Sequence, residues 1–290
     1  MKWWHGHGGM IDYFNPKAVD WWHSKMDKVL DIGIDGWKCD GTDPLIFLLR
    51  PWPYSPHAKR YIGLHEYGHR YYGDFYNYTK SKNKDAIIMS RPSDFYNFTS
   101  WNYSPKYVMF SGWVGDQDSS ADGFKSAMSG VLLSAWNNYL NFGFDIGGYR
   151  GQNISKNIFI RYAQTGALLP FMENGGNGKH QPWLFDEETV SVYKKFVDLH
   201  YELKPTFLSA ATEAFKKKKS VIKPVSKKIP AWKLPNLDNF GYVLCSKFLA
   251  FPIFEESGMT KLVFPKGNYW VYYFDHSIIF EGGTQTYRTF

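Results

Sequence analysis

The apolar residues of this chain fall into short runs that end abruptly on polar groups, with amphipathic stretches between them. The clearest run passes from Gly36 through Trp37, Lys38 and Cys39 to Asp40, and Gly41, Thr42, Asp43 and Pro44 follow at once. That is the texture of a buried parallel strand delivering a carboxylate into a loop. Four further segments read the same way. They are 86–89 ending in Ser90-Arg91-Pro92, 107–110 running toward Trp113 and Asp116, 139–144 ending in Asp145, and 167–172 ending in Glu173-Asn174. Apolar residues at helical spacing predict helices over 18–30, 123–136, 157–165 and 186–201. The last leads through Pro205 into another that stops at a lysine run. Strand and helix in alternation predict a parallel α/β architecture. From Ile222 onward short apolar stretches alternate with Gly and Pro turns, which predicts a small antiparallel β domain. The boundary falls near Lys219, giving an α/β region over 1–219 and a β-rich region over 220–290.

Composition changes this picture little. A chain of 290 residues holds one large domain or two smaller ones. Aromatic residues make up 19% of it, and their polar-tipped rings suit either a sugar-binding cleft or a large core. The net charge of +7 is matched by seven lysines between Lys216 and Lys228, a stretch with no acid. The remainder is close to neutral, so the run reads as a solvated connector and not as a nucleic-acid surface. Cys39 and Cys245 form neither a metal spacing nor a disulfide framework, and Cys39 reads as a small buried residue beside Asp40. No metal or organic cofactor is implied. No apolar run is long enough to span a bilayer, and no signal peptide precedes Trp3. Sequons at Asn77, Asn97, Asn102 and Asn153 are compatible with a secretory route. Composition fixes neither compartment nor oligomeric state.

Asp40, Arg91, Asp116 and Asp145 each stand at or just beyond a different predicted strand end, and a barrel would collect all four at one mouth. Taken alone, Asp40 reads more readily as a loop residue capping the next helix or turn than as a catalyst. Arg91 with Asp145 has a structural ion pair as its alternative reading. Two carboxylates across a glycosidic bond are what retaining hydrolysis needs. One attacks the anomeric carbon, and the other donates a proton to the departing oxygen and then activates water.

The ordered motifs GWKCDGTD over 36–43, Ser90-Arg91, Trp113-Val114-Gly115-Asp116 and FDIGGY over 144–149 resemble those of glycoside hydrolase family 31. The resemblance continues through Arg161-Tyr162, 169–172 and Gln181-Pro182-Trp183 to FPKGNYW over 264–270 and Glu281-Gly282-Gly283. It implies a retaining α-glycosidase, with a carbohydrate as its partner. It also implies a (β/α)8 barrel, of which only the later strands are present, followed by a β domain. By position, Asp40 matches the nucleophile and Asp116 the acid/base. Arg91 and Asp145 match residues lining the −1 sugar subsite, and Trp37, Lys38 and Trp113 would help to shape it. Asp43 reads as structural.

Two departures from the family pattern carry expectations. Many α-glucosidases of the family have Arg-x-His where this chain has Glu173-Asn174-Gly175. Glu173 and Asn174 would therefore meet the sugar in place of a cation, and His180 stands five residues on. That exchange, with the sequence around Asp40, resembles the α-galactosidase-type members, so an α-galactoside or an α-glucoside is the expected substrate. Only about forty residues precede the Asp40 strand end, against a β domain and the first barrel strands in the family. The expectation is a fragment, or half of an assembly. The alternative function is an inactive sugar-binding or interaction protein derived from such an enzyme.

Overall fold

A computed structural model describes residues 2–3, 6–40, 53–91, 93–96, 99–102, 104–108, 110–228 and 237–289. Asp43, Pro92 and the Asn97 sequon lie outside the described residues. The fold is α/β with several separate small sheets. The chain divides into two units, Met1–Arg91 with Asn102–Phe110, and Pro92–Trp101 with Ser111–Phe290.

In the first unit, helix α1 (Pro16–Leu30) begins where Asn15 accepts a hydrogen bond from the Lys17 backbone N–H. Pro16 occupies the first helical position, where its missing N–H costs nothing. Helix α2 (Leu64–Lys82) escapes the sequence reading, because tyrosines replace the aliphatic residues of an ordinary apolar stripe. Its row of Tyr67, Tyr71, Phe75 and Tyr78 still follows helical spacing. The two helices meet through Trp22 and Phe75, packed edge to face at 5.8 Å, and through the His23 ring stacked on Tyr78 at 3.6 Å. Met26, Cys39, Ile62, Tyr72, Ile88 and Val108 form the buried core of this unit.

Strands Gly36–Lys38 and Ile87–Ser90 pair in parallel, Gly36 opposite Ile87 and Lys38 opposite Met89. Two predicted strands are thus present. A Cβ on Gly36 would stand 1.8 Å from the Ile87 carbonyl oxygen, so this register requires glycine. The third predicted strand is corrected. Residues Lys106–Val108 form a 3-10 turn closed by Val108 N–H donating to Pro105 C=O, and the strand follows at Ser111–Gly112.

The core of the second unit is built around helix α3 (Ala121–Trp136), capped by the Ser120 hydroxyl and buried along most of its length. Ser129 and Ser134 donate to the carbonyls of Lys125 and Gly130 one turn back, which satisfies their hydroxyls inside the core. Two more strand expectations are corrected here. Over 139–144 the chain is apolar because Tyr139, Phe142 and Phe144 are all buried, yet it pairs only through a single parallel bridge at Gly143 before the two-residue strand Asp145–Ile146. Over 167–172 the end of helix α4 (Lys156–Gly166) continues as turns, Leu168 N–H to Thr165 C=O and Leu169 N–H to Gly166 C=O. The strand follows at Glu173–Asn174 and pairs in parallel with Asp145–Ile146.

Helix α5 (Glu187–Lys217) is continuous where two helices were expected. Pro205 frees the carbonyl one turn back, on Tyr201, and both residues are exposed, so water satisfies it without breaking the helix. Lys218 ends the helix in a left-handed conformation at φ 53°. Beyond it the described elements are all strands. Ile222–Pro224, Tyr242–Leu244 and Phe248–Ala250 form an antiparallel sheet. Met259–Val263 pairs with Gln285–Thr289, and Tyr269–Val271 with Ile279–Glu281, both antiparallel. No described helix is long and apolar enough to cross a membrane.

Candidate active site

Each unit carries part of the expected site. In the first, the parallel ladder runs one residue past its strands, with Cys39 N–H donating to Met89 C=O at 2.8 Å. That brings the two strand ends side by side. Arg91 Nη2 stands 2.9 Å from Asp40 Oδ1, with side chains 5% and 50% exposed. A buried guanidinium therefore holds a carboxylate that is itself half exposed to solvent. Ser104 Oγ donates to the Arg91 carbonyl, and the Tyr71 hydroxyl donates to the Asp40 carbonyl. The backbone at both strand ends is thus tied down by side chains. Burial, with the Asp40 charge second, pushes the Cys39 thiol well above its ordinary pKa. Cys39 is a buried neighbour, not a nucleophile.

Trp37 and Lys38 alternate along the strand. The Trp37 indole N–H donates to Thr79 Oγ1 at 3.0 Å, and its ring meets Phe75 at 5.5 Å. Trp37 thereby fixes the strand that ends in Asp40 onto helix α2, while Lys38 is exposed.

In the second unit three parallel segments lie in succession. Trp113 bridges Gly143, with Val114 N–H donating to Gly143 C=O and Gly143 N–H to Gly112 C=O, both at 3.0 Å. Asp145 then pairs with Glu173. Asp116, Asp145 and Glu173 therefore follow the same ends of neighbouring segments. Trp113 and Asp145 are buried, Asp116 and Glu173 half-buried. Asn174 is exposed and donates to the Tyr193 hydroxyl at 2.9 Å.

The loop bearing Asp116 is fastened along its length. Gln117 Nε2 donates to Val114 C=O, and the Gln117 carbonyl accepts from the N–H groups of Tyr149 and Arg150. Ser119 N–H donates to Arg150 C=O at 2.7 Å, and Ser119 Oγ hydrogen-bonds His180 Nε2 at 3.0 Å. His180 is 2% exposed, and burial lowers its pKa. Its ring lies against Gly147, where a Cβ would approach within 2.7 Å and φ is +91°, so a side chain there would meet both clash and strain. His180, noted in the sequence only for standing five residues beyond Gly175, braces the loop bearing Asp116. Tyr71 and Ser119 were missed altogether. The tyrosine row of helix α2 was the available signal for the first, and the second had none. Among the described residues no group of three or more His, Cys, Asp or Glu could hold a metal ion.

Residues 1–210 match the Glycosyl hydrolases family 31 TIM-barrel domain. Among curated proteins the chain is 23% identical over 291 residues to the alpha-xylosidase of Emericella nidulans, covering 97% of this chain and 36% of that protein. It is 24% identical over 299 residues to alpha-glucosidase 2 of Bacillus thermoamyloliquefaciens, with the same coverages. The chain thus spans little more than a third of the length of these relatives. Among solved structures, the cycloalternan-degrading enzyme from Trueperella pyogenes in complex with a covalent intermediate superposes with a TM-score of 0.79 at 18% identity. That match covers 99% of this chain and 40% of the enzyme. The likeness supports the fold.

Proposed function

The chain belongs to glycosyl hydrolase family 31, and from that membership we propose that it carries the catalytic carboxylates of a retaining α-glycosidase. Asp40 attacks the anomeric carbon while Asp116 gives its proton to the departing glycosidic oxygen. Asp116 then takes a proton from water, which displaces the sugar from Asp40 with net retention. This chemistry calls for carboxyl groups about 5–5.5 Å apart. Arg91 orients the Asp40 carboxylate. Asp145 accepts from sugar hydroxyls through charge-assisted bonds, and Lys38, Trp113 and Asn174 complete the subsite. Trp37 shapes it by fixing the Asp40 strand.

Glu173 stands where many family members have a cation. An acceptor in that position favours sugars whose nearby hydroxyl can donate, and a buried hydrogen bond left unmade discriminates strongly. The likeness to alpha-glucosidase 2 of Bacillus thermoamyloliquefaciens favours an α-glucoside as substrate, with an α-galactoside as the second choice. We assign 1–219 to part of a (β/α)8 barrel and 220–290 to a β-rich domain, a division supported by the left-handed stop at Lys218.

The observation that carries this reading is the half-exposed Asp40 carboxylate beside the buried Arg91 guanidinium at the ends of two paired parallel strands. Hydrolysis of aryl α-glucosides by the chain and its variants tests it. Asp40→Asn abolishes turnover. Asp116→Ala retains activity only toward good leaving groups and, with azide, yields a glycosyl azide of retained configuration. Full activity of Asp40→Asn contradicts the assignment.

A further inference from the structure

A cleft of about 630 Å³ lies within the second unit, between helices α4 and α5 on one side and the C-terminal strands on the other. Its volume is within the range of small-ligand sites, about 300–1,000 Å³. None of Trp113, Asp116, Asp145 or Glu173 lines it. Phe196, Leu199 and Leu203 form the helical wall, and Trp270, Tyr273 and Phe274 face them.

The rings are held in place before any ligand arrives. The Trp270 indole N–H donates to Pro265 C=O at 3.2 Å. Phe274 packs edge-on to Phe196, and Tyr273 edge-on to Phe248, each at 6.0 Å. Tyr273 and Phe274 nevertheless remain 46% and 47% exposed. Polar groups line the same cleft. Arg161 donates to Gln164 Oε1 at 3.3 Å on helix α4, and Asn268 and His276 lie on the strand side.

We infer that this cleft is a second sugar-binding site, taking an α-linked gluco-oligosaccharide away from the catalytic carboxylates. A pyranose offers an apolar C–H face to an aromatic ring and hydroxyls around its rim, which matches fixed rings flanked by a guanidinium, amides and an imidazole. A fatty acid would meet the rings but could engage the polar groups only at its single carboxylate end. The choice of sugar rests on the glycosidase reading above. The site would hold a long substrate while its end is processed, adding a second point of attachment.

The test uses the full chain with Asp40→Asn and Asp116→Asn, so that no turnover occurs, titrated calorimetrically with maltotetraose. The same protein is compared after Tyr273→Ser and Phe274→Ser, both exposed positions, with near-UV circular dichroism reporting on the fold. Arg161→Met replaces them if the fold is disturbed. The expected result is binding that weakens about tenfold in the cleft variants, the scale of one lost ring contact. Undiminished binding overturns the inference while leaving the catalytic proposal intact, because the sugar then sits elsewhere. Absence of maltotetraose binding, or binding of palmitate in its place, also overturns it. Failure of the catalytic reading is registered separately, by turnover in Asp40→Asn.

Discussion

The Arg91 guanidinium lies 2.9 Å from the Asp40 carboxylate and is almost wholly removed from water, while its partner is half exposed. Taking Asp40 away leaves a buried cation without that charge, a penalty beyond the worth of the pair itself. A double-mutant cycle of Asp40→Asn and Arg91→Gln, read by urea denaturation, is expected to return a coupling of about 1–2 kcal/mol. Independent effects of the two substitutions would mean that the pair does not hold the strand ends together.

Gly36→Ala is expected to destabilise the chain by roughly 2–3 kcal/mol. The added Cβ would stand 1.8 Å from the Ile87 carbonyl oxygen, a backbone atom in the paired strand. Because that strand leads into Arg91, activity should fall with stability. A thermal melt that Gly36→Ala leaves unshifted would contradict the close strand register.

These two relationships show how far the sequence could be read. The strand ends at Asp40 and Arg91 were legible because an apolar run stops on a charged residue, and their pairing follows from parallel neighbours. The strands before Asp145 and Glu173 were misplaced upstream. Phe142 and Phe144 flank the single bridge at Gly143 and Leu169 lies in a turn, all three buried, and apolarity reports burial whether or not a full ladder forms. Helix α2 was missed because Tyr67, Tyr71 and Tyr78 weaken the contrast between its faces. The helix through Pro205 was cut in two because sequence does not reveal which face of the helix meets water. The bracing of the Asp116 loop by His180 joins residues 61 positions apart, beyond any local pattern.

His180 gives the chain a pH dependence. Its pKa is lowered from the ordinary 6.5 by burial, so the unfolded chain binds the proton more readily than the folded one. The stabilisation is complete above about pH 6.5 and is lost as pH falls below it toward the folded value. His69 adds to it with the same sign, through burial and then the neighbouring His65. Urea midpoints measured between pH 5 and pH 8 (roughly the window in which histidine titrates) should fall on the acid side. His180→Gln should flatten that fall. An unchanged slope would remove His180 as its source.

Both cysteines are free and buried, and burial raises each thiol pKa, that of Cys245 to about 11. At mildly alkaline pH neither should react with iodoacetamide in the folded chain, and both should react in urea. Rapid labelling of native Cys39, read by peptide mass spectrometry, would show that the Asp40 strand end opens to solvent.

The most direct test of the account is to trap the covalent intermediate. The chain is incubated with 5-fluoro-α-D-glucosyl fluoride, which forms a glycosyl ester that hydrolyses slowly, and the labelled peptide is sequenced by mass spectrometry. The account predicts one ester, on Asp40, and none in Asp40→Asn. A label on Asp116 or any other carboxylate, or no label at all, would contradict it.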